Sequence, residues 1–237
     1  MPNEINQVEL ANFVAQLERR LGEAVHASII SSQAAILAYH AGTQQLPILS
    51  FAGNSPPTLP EAVMEKATLL PNRETLIARL PKGGRGVEVG TQRGAFAKHM
   101  LQVAEPAQLH LIDSNYTLFD KLWFEPYVSS SQVILHEGIS WLVLEDFDRS
   151  SFDWIYIDAG HDYDSVTRDI AAAWDKVRPG GYLIFNDFTS WSPLEIIPYG
   201  VMQAVCEFLI NHADDFAIAW FAFHPQGYHD IALRREK

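Results

Sequence analysis

Residues 86–94 read GVEVGTQRG, a short apolar run that turns at Gly90 and leads past Gly94 into helical sequence. Glycine is needed where the backbone takes a positive φ or where a ligand must come close to the main chain. In open α/β sheets such a turn stands at the carboxyl end of a strand, where ligands bind. The spacing excludes two phosphate-binding patterns. G-x-G-x-x-G fails because Gln92 replaces the second glycine, and G-x-x-x-x-G-K-[ST] fails because no lysine follows in place. What remains is E-x-G-x-x-x-G, with Glu88, Gly90, Thr91 and Gly94 around the turn.

Outward from this turn, strands alternate with helices. Strand candidates are Arg85–Val89, Gln108–Asp113, Gln132–His136, Phe152–Asp158 and Gly181–Asp187, each apolar as a strand covered on both faces should be. Helical stretches are expected at 93–104, 116–125, 139–146, 163–177 and 199–212. Arg178-Pro179-Gly180-Gly181 reads as a helix stop and a turn. Two last strands, near 215–223 and 228–234, flank His224-Pro225-Gln226-Gly227 and predict an antiparallel hairpin at one sheet edge. The pattern predicts an α/β fold with a doubly wound, mostly parallel sheet of seven strands. Upstream, helices are expected over 5–21 and 24–40, a loop over 42–60 and a short helix over 61–70. The predicted division is therefore an N-terminal helical extension, residues 1–70, and a domain of residues 71–237.

Four features bear on chemistry. Asp113 ends its strand about 20 residues beyond the glycine turn, where a carboxylate can accept hydrogen bonds from ribose hydroxyls; a capping or turn aspartate is the plainer reading. HEGIS, residues 136–140, is a turn whose Ser140 can start a helix. In FDWIYIDAGHDYDSVTRDI, residues 152–170, a buried strand ends at Asp158 and His161 follows. In PGGYLIFNDF, residues 179–188, another ends at Asn186-Asp187. Adjacent strands lie about 4.8 Å apart, so Asp158 and Asp187 would emerge side by side. Two such carboxylates repel unless protonated or bridged by a cation, and oxygen ligands suit Mg²⁺ or Ca²⁺. The plainer readings are a surface His161 paired with Asp158, Asp162 or Asp164, and a capping Asp187.

Taken together, VEVGTQRG, LIDSN, YIDAGHDYDSVTRDI and RPGGYLIFNDF resemble the class I methyltransferases, in particular the Methyltransf_24 group and the macrolide-sugar O-methyltransferases within it. The resemblance covers a little under half the chain. It implies a Rossmann-like sheet and S-adenosylmethionine (SAM) as methyl donor. The donor would be held by Glu88, Gly90, Thr91, Gly94, Asp113, Gly138, Ile139, Ser140 and Asp158. In the metal-dependent sugar enzymes the implied ligands of Mg²⁺ are Asp158 and Asp187, and His161 is the base, making His161 and Asp158 the catalytic candidates. Asn186 stands where those enzymes carry an acidic residue, so the metal set would be Asp158, Asp187 and Asn186. Trp191, in the loop after the fifth strand, is placed to wall an acceptor pocket.

Composition narrows the acceptor. A net charge of −12 repels a phosphate backbone, so a small-molecule hydroxyl is expected and nucleic acid is not. No uncharged apolar run is long enough to span a membrane. The single cysteine, Cys206, lies in apolar helical sequence and reads as a core thiol. With no leader-like N-terminus, these features predict a cytoplasmic protein, and the apolar N-terminal segment is compatible with a homodimer. The competing expectation is a non-catalytic SAM-binding sensor or assembly protein on the same fold. An iron hydroxylase ranks last, for want of a two-His, one-carboxylate pattern.

Overall fold

Side chains along each strand explain why the strands share one sheet. Val87, Val89, Ile155, Ile157, Leu183 and Phe185 are buried in one apolar layer. Leu109, Leu111, Trp154, Tyr156 and Ile184 are buried in the other. Period-two alternation with both faces apolar demands cover on both sides. The computed structural model describes residues 19–25, 27, 28, 31, 56–195 and 197–237. It divides into two units, 1–50 and 51–237. In the first, residues 19–25 are helical and Arg19 faces Glu23 one turn on, at 3.9 Å. The rest of the helices expected over 5–21 and 24–40, and most of the loop over 42–60, lie outside the described residues apart from isolated positions.

The second unit runs α1 (Glu61–Met64), β1 (Thr68–Leu70), α2 (Arg73–Ile77), β2 (Arg85–Val89), α3 (Ala95–Val103), β3 (Gln108–Asp113), α4 (Lys121–Ser129) and β4 (Val133–Glu137). It continues through α5 (Ser140–Glu145), β5 (Phe152–Ile157), α6 (Tyr163–Ala173), β6 (Val177–Phe185), β7 (Trp191–Ser192), β8 (Ile197–Pro198), α7 (Val201–Asn211), β9 (Phe216–Ala222) and β10 (Asp230–Arg235). The main sheet has the order β1-β9-β10-β6-β5-β2-β3-β4. β10 is antiparallel to β6 and β9, and the other neighbours are parallel. α2, α3 and α4 bury Leu76, Met100 and Phe124 against one face. α5, α6 and α7 bury Leu144, Ile170 and Leu209 against the other.

This is the Rossmann-like α/β sheet the pattern predicts, with eight strands instead of seven. The extra strand is β1, where a helix over 61–70 was expected. The helix stops at Met64, and Leu70 turns its buried side chain inward while β1 pairs with β9. The β9–β10 hairpin is therefore flanked by β1 and is not the sheet edge. The RPGG turn also lies inside β6. Phe152 pairs with Val177 and Trp154 with Tyr182, so residues 178–181 bulge outward, with Gly180 at φ +82°. α4 begins later than expected. Asn115 N–H donates to Asp113 and Thr117 N–H to Asn115, and Asp120 then caps the helix by accepting from Trp123 N–H. Cys206 is buried in α7, and burial pushes its thiol up to about 11, as a core residue requires. Among the described residues no helix is long and apolar enough to cross a membrane.

Strand order reverses between β2 and β5. β2 leads outward to β3 and β4, whereas β5 leads the other way to β6. The crevice at such a switch, above the carboxyl ends of the strands, is the general ligand position of this architecture. Gly90 follows β2 and Asp158 follows β5, so both flank it.

Candidate active site

The switch point is tight. Gly90 adopts φ +91° and its N–H donates to the Ile112 carbonyl at 2.9 Å, while Asp158 N–H donates to Val89 at 2.8 Å. A β-carbon on Gly90 would lie 2.5 Å from the Asp158 carbonyl carbon and 2.8 Å from Ala159 Cα. Only glycine allows this approach. Above it opens a crevice of about 450 Å³, lined by Gly90, Asp113, Gly138, Ile139, Ser140 and Asp158, together with Gln92 and Trp141.

Asp113 braces this crevice as well as lining it. One carboxylate oxygen accepts from Gln92 N–H at 2.6 Å and the other from Asn115 N–H at 3.1 Å. Ser114 Oγ also donates to the second oxygen, at 3.3 Å, so the turn role and the ligand-facing position belong to one residue through Oδ2, which keeps a second lone pair. Glu88 and Thr91, on either side of Val89 and Gly90, are buried and do not line the crevice. Glu88 is 2% exposed, and Glu88 Oε2 and Thr91 Oγ1 are both buried without a hydrogen-bond partner. Burial, reinforced by the charge of Asp158, pushes the Glu88 carboxyl well above the usual range. Burial thus favours the neutral acid, and a cation brought beside it would favour the ionised form. Gly94, at φ +79°, begins α3 and packs against Phe119 and Phe124.

A second pocket of about 430 Å³ is lined by Arg73, His161, Asp187, Glu195, Tyr199 and Tyr228, with Asn186, Leu194, His224 and Gln226. His161 Nε2 stands between two carboxylates, 3.6 Å from Asp158 Oδ1 and 3.4 Å from Asp187 Oδ2. The ring stacks on Tyr199, with centroids 4.5 Å apart and planes at 15°. Nε2 is buried and makes a formed hydrogen bond to neither carboxylate. Burial pulls the imidazole pKa down, but Asp158 and Asp187 more than offset it, and the net shift is upward. Burial raises Asp187 in turn, against the pull of His161. Asp187 takes φ +53°, in the left-handed region. Asp158 lines the first space and reaches His161 in the second, so it joins the two.

Asn186 turns elsewhere. Its amide donates to Asp230 Oδ1 at 3.2 Å, and Tyr156 Oη donates to Asp230 Oδ2 at 2.6 Å. Burial raises Asp230 to about 7. The expected metal set of Asp158, Asp187 and Asn186 therefore does not converge: His161 Nε2 lies within 3.6 Å of both carboxylates, and the Asn186 amide is engaged by Asp230. Among the described residues no group of three or more His, Cys, Asp or Glu side chains is arranged to hold a metal ion.

Several lining residues escaped the sequence reading. Trp191 is not among the residues lining the second pocket. Leu194, Glu195 and Tyr199 are, and the short β7–β8 hairpin that carries Leu194 and Glu195 is tied down by Tyr228 Oη on Ser192 Oγ at 2.7 Å. His224 and Gln226 come from the β9–β10 turn, which read only as a turn. Arg73 enters from α2, upstream of every motif. The one available signal was Asp230, a carboxylate placed just before the apolar run Ile231–Leu233.

The family model described as a methyltransferase domain matches residues 87–188. No curated protein matches the sequence significantly. Among solved structures, the chain is similar to the O-methyltransferase from Bacillus cereus in complex with SAH (15% identity, TM-score 0.51, 86% of this chain and 91% of that one). It is also similar to a Klebsiella pneumoniae protein described as an O-methyltransferase (17% identity, TM-score 0.52, 86% and 97%). A Clostridium thermocellum protein described as an rRNA methylase matches as well (11% identity, TM-score 0.52, 69% and 95%). At these identities the likeness is one of fold.

Proposed function

We propose, from the match of residues 87–188 to the methyltransferase-domain family model, that the chain transfers a methyl group from SAM to a hydroxyl of a small molecule. The buried, unpartnered Glu88 Oε2 and Thr91 Oγ1 suit the donor's ammonium. Asp113 is placed for the ribose, and Gly138, Ile139, Ser140 and Trp141 wall the far side for the base. When bound, SAM supplies a methyl group already activated on a sulfonium. The chain's own task is to align the acceptor and take its proton.

One observation carries the reading: a buried imidazole nitrogen with no formed hydrogen bond, His161 Nε2, stands where the crevice and the second pocket meet. An acceptor hydroxyl in the second pocket would complete that missing bond and give its proton to Nε2. Asp158 and Asp187 would then stabilise the imidazolium. General-base catalysis of this kind is worth roughly 10²–10⁴-fold. The net charge of −12 supports a small acceptor over a polyphosphate chain. Because the donor set does not fit a metal ion, no step depends on one.

The experiment is calorimetry with SAM and with SAH, with and without Mg²⁺, followed by mass spectrometry of hydroxylated acceptors incubated with SAM. Micromolar SAH binding unaffected by EDTA, and a mass gain of one methyl on an acceptor, are the expected results. Tight SAH binding with no turnover across a broad acceptor panel would instead support a sensor. Absence of SAM and SAH binding would end the assignment.

A further inference from the structure

His161 Nε2 makes no formed hydrogen bond among the described residues, although carboxylate oxygens stand 3.6 and 3.4 Å away. A base is ordinarily oriented by a third group, and the χ2 torsion that turns an imidazole is broad and soft. With no bond at Nε2, the plane of this ring needs another constraint. Tyr199 supplies one. Its ring lies against the imidazole face, with centroids 4.5 Å apart and planes at 15°. Rotating the imidazole about χ2 would drive its edge into that face, so the stack restrains the plane. Contact through the face leaves the ring edge, with Nε2 on it, free to take a proton.

Tyr199 is itself fixed from several directions. It is buried, and its N–H donates to the Ser190 carbonyl at 3.0 Å. Gly200, the next residue, donates its N–H to the His161 carbonyl at 2.7 Å. A β-carbon on Gly200 would collide with the Tyr163 backbone, so the chain entering α7 lies directly on the turn that carries His161. At the far end of the ring the Tyr199 hydroxyl donates to Glu195 Oε2 at 2.9 Å. Glu195 sits on the β7–β8 hairpin, which Tyr228 holds through Ser192 Oγ and the Leu194 N–H. We propose that Tyr199 is a positioning residue for the base: its ring face sets the plane of the His161 imidazole and so aims Nε2 at the place where the crevice and the second pocket meet. This rests on the reading that His161 takes the acceptor's proton.

The test uses two substitutions in the full chain. Tyr199→Phe keeps the ring, and Tyr199→Leu removes it. Tyr199→Met, which fills more of the space without a ring, repeats the test should circular dichroism show the leucine variant poorly folded. NMR of protein labelled at histidine reads the imidazole directly, with His161 assigned by its disappearance in His161→Ala. Wild type and Tyr199→Phe should show the His161 ring protons shifted upfield by the facing aromatic ring, and Tyr199→Leu should lose that shift. Turnover is measured with a hydroxylated acceptor that gains a methyl mass from SAM. Tyr199→Leu should lower kcat by roughly 10–100-fold, the effect of a base displaced by up to about 1 Å, with a much smaller change in KM. Tyr199→Phe should recover most of that loss. SAH affinity should stay within about 2-fold in both, because Tyr199 does not line the crevice. An unchanged kcat in a folded Tyr199→Leu variant, or an unshifted His161 signal in the wild type, would overturn the proposal. Equal losses of SAH affinity and kcat would also overturn it, since they mark a general distortion. A wild type that binds SAH but methylates nothing would refute the methyl-transfer reading instead, and the NMR shift alone would then decide whether Tyr199 holds the ring.

Discussion

Replacing Gly90 by alanine puts the geometry of the switch point to a quantitative test. The residue takes φ +91°, a conformation that costs an L-residue about 1–2 kcal/mol. The new methyl would lie 2.5 Å from the Asp158 carbonyl carbon and 2.8 Å from Ala159 Cα, and closer still to the Asp158 carbonyl oxygen. Comfortable carbon contacts begin near 3.5 Å, so the chain after β5 must retreat by on the order of 1 Å. Asp158 N–H is bonded to Val89, one residue before the substitution, which opposes that retreat. Overpacking of this kind costs about 1–3 kcal/mol. Reduced freedom of the unfolded chain returns about 0.4–1 kcal/mol. The net loss is about 1–5 kcal/mol, summing these terms, against a typical domain stability of about 5–15 kcal/mol. The variant should therefore fold.

Gly227→Ala supplies the control. Its φ of +86° is similar, but nothing lies within 4 Å of the added carbon. It should lose only the conformational part, about 1 kcal/mol. Urea unfolding followed by fluorescence of the six tryptophans reads both. The same shift displaces Asp158 and with it His161, and a misplacement of about 1 Å can cost about 100-fold in rate. Gly90→Ala should thus lose SAH affinity and turnover together, whereas Gly227→Ala keeps both. Equal unfolding midpoints for the two variants, with SAH affinity intact in Gly90→Ala, would refute the claim that close backbone approach builds the site.

His161→Ala should retain SAH affinity and lose roughly 10²–10⁴-fold in turnover. The upward shift of the imidazole by Asp158 and Asp187 places the acid limb of the pH–rate profile above that of a free histidine, because only the deprotonated ring accepts a proton. Asp187→Asn removes one of those charges and should move the limb to lower pH; a limb that stays put would remove Asp187 from the dyad. Asp230 offers a stability test. Its folded-state pKa, about 7, is raised from 3.8, so the native state favours the neutral acid. Stability is then fully present below about pH 4 and is lost as pH rises toward 7. The stability of Asp230→Asn relative to wild type should climb across that window, by up to about 4 kcal/mol at 1.36 kcal/mol per pKa unit. A flat difference between pH 4 and 8 in denaturant titrations would contradict the burial argument.

The sequence reading succeeded where a residue's place follows local chain direction. A buried strand followed by a glycine turn or an acidic residue places that residue at the carboxyl edge of a parallel sheet, whatever lies elsewhere in the chain. Gly90, Asp113, Gly138 and Asp158 were legible on that ground, and all line the crevice. It had less to offer where function depends on which way a side chain turns. Alternation places Asn186 and Asp187 on opposite faces, but it does not say which faces the site. Asp187 resolves this by leaving the strand in a left-handed conformation toward His161, while Asn186 stays in register and meets Asp230. Residues arriving from distant segments left almost no local mark. Arg73 precedes the first glycine turn, and Asp230 sits on the one antiparallel strand between β6 and β9. Their positions are set by sheet closure, a non-local event that no periodicity encodes. The residues lining the crevice therefore sit at readable strand ends, whereas those lining the second pocket come largely from a hairpin, a short helix and a turn. On the proposed reading the second pocket takes the acceptor, so it is there, at Arg73, Glu195, Tyr199 and His224, that substitutions should separate one hydroxyl substrate from another.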